Sequence, residues 1–277
     1  MSATVNTNYG AIVAQKNLAQ TENTFNRTLE RLSSGKKTIN ARDDAAGVAI
    51  AGKMEAQIRG LSVAIRHTRD GQSMTAAADG SLKEIHNVLQ RMRELAVNAS
   101  SGIASNVDKD YLNLEMSSLV SQVESSSLTS KFNQIQLLRG QQFSFFTDID
   151  ISGSNITTVA ADMAVTTLGI PMTTVSIGGE VAQSSLDNVI SAIDNALATV
   201  DDRRANLGAV SNRFDHIIAN LQNIINNTER SKGIMIDADL AIESTKLASS
   251  KVLLNGGTSM LANANAQKKL VLTLFNQ

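Results

Sequence analysis

The chain has no cysteine and no tryptophan, one proline at Pro171, and only 3% aromatic residues among its 277. Without thiols there are no disulfides, thiolate metal sites or thiol catalysis, a composition that suits a secreted protein built without disulfides. Scarce aromatic and turn residues disfavour a sheet-based fold. An excess of one charge is also missing: 25 Lys and Arg stand against 26 Asp and Glu, a formal net charge of -1. Nucleic acid and anionic membranes therefore have no electrostatic footprint to meet. Met1 to Gly10 is polar, with no basic segment leading into an apolar one, so no cleavable signal peptide is visible and any exit from the cell would use another route. The uncharged run Val252 to Gln267, at 16 residues and interrupted by Asn255, Gly256 and Gly257, falls short of a bilayer span, and no membrane insertion is expected.

What is abundant is a seven-residue rhythm. Steps of four and three from Leu186 pass through Ile190, Ile193, Leu197, Val200, Arg204, Leu207, Ser211, Phe214, Ile218, Leu221, Ile225 and Thr228, and ten of these thirteen are large and apolar. A 3.5-residue repeat sustained this long is a coiled-coil seam, because it keeps one face on a partner helix as both supercoil. The helix would be some 65 Å long, too long to bury its seam inside a compact globule. Its partner follows the same stepping from Leu61 through Ala64, Thr68, Gly71, Thr75, Ala78, Leu82, Ile85, Leu89, Met92, Ala96, Ala99 and Ile103. Opened by Asp43-Asp44 at the positive end of the helix dipole, this helix spans about 60 residues. Its glycines, among them Gly47, Gly52, Gly71 and Gly80, cost about 1 kcal/mol each relative to Ala, which close helix packing must offset.

The terminal helices are weaker. From Ala11 to Leu32 the seam is Ala11, Ala14, Leu18, Thr21, Phe25, Thr28 and Leu32, mostly small, with little charge elsewhere. Such a helix is not stable alone and should become buried by assembly. Ser33-Ser34-Gly35 ends it, Lys36 to Asn40 is a connector, and Ser231-Lys232-Gly233 resembles a matching connector in the second half. The last helix carries Leu240, Leu247, Leu254 and Leu261 at seven-residue spacing. Asn106 or Asp108 can cap a third helix with seam Leu112, Met116, Leu119 and Val123. Gln141 to Val181 is the expected β region, with Phe143, Phe145, Ile149, Ile151, Ile156, Val175 and Ile177 between glycines and Pro171. The fold expected is mainly α: a long antiparallel coiled-coil rod with paired terminal helices and a small β-hairpin region.

No constellation carries catalysis. Gly47 to Met54 matches a nucleotide-binding loop except at its last position, where Met54 replaces the hydroxyl needed for magnesium, and it sits in a helical pattern. His67, His86 and His216 have no metal-ligand spacing, and Asp43-Asp44 and Asp201-Asp202 look like capping and solvated charges. Of four Asn-X-Ser/Thr patterns, at Asn26, Asn98, Asn155 and Asn226, only Asn155 is expected in a surface loop. No cofactor and no metal are implied.

Several segments resemble bacterial flagellin: Asn6-Thr7-Asn8, Leu29 to Gly35, Asp43-Asp44-Ala45-Ala46-Gly47, Gln90 to Val97, Leu207 to Phe214, Asp237-Ala238-Asp239 and Ala262-Asn263-Ala264-Asn265. The resemblance implies a short flagellar filament subunit without outer variable domains, exported unfolded by the flagellar type III apparatus. It also implies an export chaperone, a filament cap and hook-filament junction proteins as partners, beside copies of the chain itself. The implied domains are residues 1–42 and 233–277 as an inner core, 43–140 and 182–232 as an outer helical core, and 141–181 as hairpin and turns. Leu18, Phe25, Leu32, Leu240, Leu247, Leu254 and Leu261 would then be assembly seams. Gln90 to Val97 resembles the flagellin patch recognised by an animal Toll-like receptor, with Arg91, Leu95 and Glu115 as contacts that also serve subunit packing. Alternative readings are a hook-filament junction protein, which shares the terminal helices, and a cytosolic coiled-coil scaffold.

Overall fold

The computed structural model describes residues 7–146, 155–159 and 162–275. The elements in chain order are α1 (Tyr9–Ser34), α2 (Ala45–Ala99), α3 (Asn106–Thr129), β1 (Lys131–Phe132), β2 (Ile135–Gln136), β3 (Gln142–Phe146), β4 (Asn155–Val159), α4 (Met172–Val175), α5 (Gln183–Ile236) and α6 (Leu240–Phe275). They form two compact units, Met1–Ile58 with Asn226–Gln277, and Arg59–Ile225.

In the Arg59–Ile225 unit, α2 and α5 run antiparallel, tied by Arg93 to Asp194 at 2.6 Å, Arg204 to Asp79 at 2.9 Å and Gln72 to Asp215 at 2.8 Å. All thirteen seam positions from Leu186 to Thr228 are buried or half-buried, as a helix with one face on a partner requires. Arg204, on the seam, keeps its stem in the interface and its head on Asp79. Helix α3 adds Met116, Val120 and Val123 to the chain's main cluster, where they join Ile85, Leu89 and Met92 of α2 and Ile193 and Val200 of α5.

Ser105 caps α3, one residue before Asn106. Its hydroxyl accepts from the Asp108 amide at 3.2 Å while Asp108 accepts from the Ser105 amide at 3.1 Å, a reciprocal capping box. Hydrogen bonds from the Ser105 hydroxyl and amide hold the Asp108 carboxyl below its ordinary range. Two further expectations are corrected nearby. Helix α2 has 55 residues and stops at Ala99, so Ile103 is 94% exposed and off the seam. Hydrogen bonds from the amides of Ser101 and Ala104 to Asn98 and Ser101 turn the chain there.

Of the helix glycines, Gly71 does meet close packing: a Cβ there would lie 3.0 Å from Phe214 and 3.1 Å from Phe145. Gly52 and Gly80 have nothing within 4 Å, so neighbours within the subunit do not explain them.

The β region is smaller and differently placed than its composition suggests. β3 and β4 form an antiparallel hairpin with Phe145 paired to Ile156, and Asn155 begins β4. Ile149 and Ile151 lie outside the described residues. A second hairpin, β1–β2, precedes residue 141 and turns through Asn133 and Gln134 at φ of 47° and 67°. Val175 and Ile177 are not in strands: Val175 ends α4 and both are fully buried against the helices. Side chains of α3 satisfy this segment's backbone where a sheet would otherwise do so, Asn113 accepting from the Ile177 amide at 3.0 Å and Glu124 from the Val165 amide at 3.1 Å.

Candidate functional site

In the unit containing both ends of the chain, α1 and α6 pair antiparallel. Asn8 caps α1, accepting from the Ala11 amide at 3.1 Å, and donates from Nδ2 to the Ala264 carbonyl at 3.0 Å. At the other end Gly35 closes α1 in the left-handed region, φ 68°, where glycine has no steric penalty. Its carbonyl accepts from the Ala238 amide at 2.9 Å, and the Lys37 amide donates to Ile236 at 2.8 Å. The connector between α5 and α6 is therefore Asp237 to Asp239; Ser231-Lys232-Gly233 is helical, inside α5. Asp239 caps α6 through the Ala241 amide at 2.8 Å.

All seven predicted seam positions of α1 are buried or half-buried. On α6 Leu247, Leu254 and Leu261 are half-buried and alternate with Glu243, Ser250, Gly257 and Ala264. Gly257 lets the helices approach, since a Cβ there would stand 3.0 Å from Leu18. Leu240 is a correction: it is the first residue of α6 and is 62% exposed, so it does not share the buried stripe. Glu243 occupies the seam instead, 4% exposed, with Arg31 at 3.8 Å and Lys246 at 2.9 Å. The seven-residue spacing of the leucines concealed this intervening position.

The pair is lean. The residues of α1 and α6 that reach full burial are Thr28, Glu243 and Ser250, all polar, among the described residues. Every seam leucine keeps part of its surface in water, and Ile12, Leu29, Ile242, Val252, Leu253 and Met260 are exposed on the outer faces. Two helices can cover only one stripe of each other, so such surface is completed by neighbours or left as a liability.

The second candidate lies in the other unit. Arg91 donates from Nε to Glu115 and from Nη1 to Glu94, both at 2.9 Å, and these carboxylates raise its pKa, Glu115 foremost. Arg91 and Glu115 are about half exposed, at 47% and 44%. Leu95 is not beside them on the surface; it is 1% exposed. Its position three residues after Met92 turns it onto the same core face, so it supports the patch from beneath and presents nothing to a receptor. Sequence reasoning also missed the exposed Ile103, Val107, Tyr111 and Leu114.

The decoys resolve geometrically. Gly47 to Met54 is continuous helix within α2, with Asp44 capping the Gly47 amide at 2.9 Å, so no loop is present there to wrap a phosphate. His86 sits beside Asp201 at 3.1 Å, while His67 and His216 are exposed on separate helices. Among the described residues no group of three His, Cys, Asp or Glu could hold a metal ion, and no helix is long and apolar enough to cross a membrane.

Comparison with known proteins places these helices. Residues 5–143 match the bacterial flagellin N-terminal helical region and residues 190–275 the bacterial flagellin C-terminal helical region. The flagellin of Halalkalibacterium halodurans is 35% identical over 271 residues, covering 98% of this chain and 99% of that protein. Flagellin FlaB2 of Treponema pallidum is 32% identical over 283 residues, with the same coverage of 98% and 99%. Among solved structures, a crystal structure of Bacillus cereus flagellin aligns with a TM-score of 0.49 at 27% identity, over 56% of this chain and 88% of that one. Both relatives align almost end to end with this chain, and the two matched helical regions are separated by residues 144–189. The chain belongs to the bacterial flagellin family and is a structural subunit of the extracellular flagellar filament.

Proposed function

We propose that the α1–α6 pair is the polymerising element of this subunit, and that the chain works mechanically, as part of the swimming propeller, with no catalytic role. The burial pattern carries the proposal: among the described residues of the pair only polar ones are fully buried, while leucine and isoleucine surface stays open on both helices. Neighbouring subunits would cover that surface, so the pair orders as the filament grows, which is coupled folding and assembly. Leu18, Phe25, Leu32, Leu247, Leu254 and Leu261 hold the pair together in this account. Residues 1–42 and 233–277 form the inner core, 43–140 and 182–232 the outer helical core, and 141–181 the hairpin region.

Ends that fold late also suit passage through the flagellar type III export apparatus with an export chaperone, then insertion between the hook-filament junction proteins and the filament cap. The test is electron microscopy of the purified full-length protein after adding short filament seeds. Long uniform filaments should grow from the seeds; protein that stays monomeric or only caps them would bring the junction-protein reading forward.

The exposed Arg91–Glu115 pair is proposed as a contact for an animal Toll-like receptor when the subunit is free. An Arg91→Ala chain should signal more weakly through that receptor in reporter cells, and undiminished signalling would remove this partner.

A further inference from the structure

Asn-Gly occurs once in the chain, at Asn255-Gly256 of α6. Both residues are exposed, and the helix is weak at that turn. Gly256 and Gly257 each cost about 1 kcal/mol of helix stability relative to Ala. The Thr258 and Ser259 hydroxyls both donate to the Asn255 carbonyl, at 2.8 and 3.1 Å, and such back-bonding bends a helix and slightly destabilises it. Gly257 is accounted for by the close approach of Leu18, but a Cβ at Gly256 would meet nothing within 4 Å. Packing within the subunit therefore gives no reason for the second glycine.

Asparagine followed by glycine carries a reaction of its own. Once the backbone leaves the helical region, the Gly256 amide nitrogen, losing its proton to solvent base, can attack Cγ of Asn255. The new N–C bond closes a five-membered imide, and the side-chain amide departs as ammonia. Water then opens the ring. Addition at the side-chain carbonyl gives aspartate, addition at the backbone carbonyl gives isoaspartate, and neither route needs an oxidant or a reductant. Glycine permits the closure because it has no Cβ to crowd the ring and reaches the required backbone angles freely. The ordered helix blocks it, since there the Gly256 amide is committed to the carbonyl four residues back and ψ is held at about −42°.

We propose that Asn255-Gly256 is a spontaneous modification site, converted with water to aspartate and isoaspartate in the unassembled subunit and protected when α6 is held in order. Its place in the fold selects it. Among the described residues of the α1–α6 pair only Thr28, Glu243 and Ser250 are fully buried, so local opening there costs little free energy. The chain's two Asp-Gly steps, Asp70-Gly71 and Asp79-Gly80, could close the same imide with loss of water, but they lie in the Arg59–Ile225 unit with its own core. There Gly71 packs against Phe214 and Phe145, and Asp79 is held by Arg204 at 2.9 Å. Isoaspartate inserts a methylene into the backbone, and either product adds a negative charge beside the exposed Val252. Both changes should bar an aged chain from a growing filament. That last consequence rests on the assembly role proposed above for the α1–α6 pair; the chemistry at Asn255 does not.

The test incubates the full-length protein in mildly alkaline buffer, part as free subunits and part as filaments grown from seeds. Trypsin then releases Val252–Lys268, which carries Asn255 together with Asn263 and Asn265, each followed by alanine, as internal references. Mass spectrometry of the free subunits should show Asn255 converting at least about tenfold faster than either reference, with isoaspartate the larger product. Gly256→Ala, at a site with open space, should slow the conversion at least about tenfold and leave the chain helical. Filaments should convert more slowly than free subunits, and seeds added to an aged pool should take up unconverted chains preferentially. Conversion at the reference rate in the free chain, a Gly256→Ala chain that converts as fast as its parent, or filaments that convert as fast as free subunits would overturn the inference. Seeds that do not grow from fresh protein would count against the assembly role instead, and the rates measured on free subunits would still decide the chemistry.

Discussion

A chain lacking Met1 to Leu32, or one lacking Met235 to Gln277, is expected to remain soluble and helical yet add no detectable length to filament seeds. Each truncation removes one member of the α1–α6 pair and leaves the other without the helix its seam faces. A single amphipathic helix of this kind, with mostly small residues at its contact positions, does not pay its own ordering entropy in water. The Arg59–Ile225 unit keeps its own cluster of buried side chains, from Leu82 through Met116 to Val200, and has no need of the ends for its core. Far-UV circular dichroism of the free chain should therefore retain the helical signal of the Arg59–Ile225 unit, with a cooperative thermal transition, while electron microscopy shows seeds of unchanged length. A truncated chain that still builds filaments would mean that subunits join chiefly through the other unit, and the assembly role given to α1 and α6 would fail.

Much of this arrangement was visible as periodicity, for a physical reason. A long helix with a single partner must repeat its apolar residues at the period of the contact, so the thirteen positions of α5 and the seven of α1 could be assigned one by one. Periodicity is silent where backbone groups are satisfied by particular side chains. Asn113 and Glu124 accept amide hydrogen bonds from Ile177 and Val165, so residues with strand composition pack without a sheet. The β1–β2 turn was hidden because Asn133 and Gln134 adopt left-handed backbone without a glycine to announce it. Resemblance to a family picked out Arg91, Leu95 and Glu115 together, but it did not say which way each faces. Burial separates them, and a third helix on α2 is what turns Leu95 inward.

The largest single-residue loss of stability is expected at Phe214. Among the described residues it is the one aromatic side chain of the largest fully buried ones, and two other elements meet it. Its ring meets Phe145 of the hairpin edge to face, centroids 5.6 Å apart and planes at 89°, and its tip approaches Gly71 of α2 so closely that a Cβ would stand 3.0 Å away. Phe214→Ala leaves a void that the glycine opposite has no side chain to fill, so the cost should reach about 3–5 kcal/mol, a fall of roughly 10 °C in thermal midpoint for a unit of this size. Gly71→Ala alone gains helix propensity but overpacks the contact, with an expected net cost of about 1–2 kcal/mol. Combined, the two substitutions should cost less than their sum, because the new methyl enters the vacated space, and a double-mutant cycle measures that coupling. Strict additivity, or a Phe214→Ala cost below about 1 kcal/mol, would show that the glycine and the ring do not share one packing site.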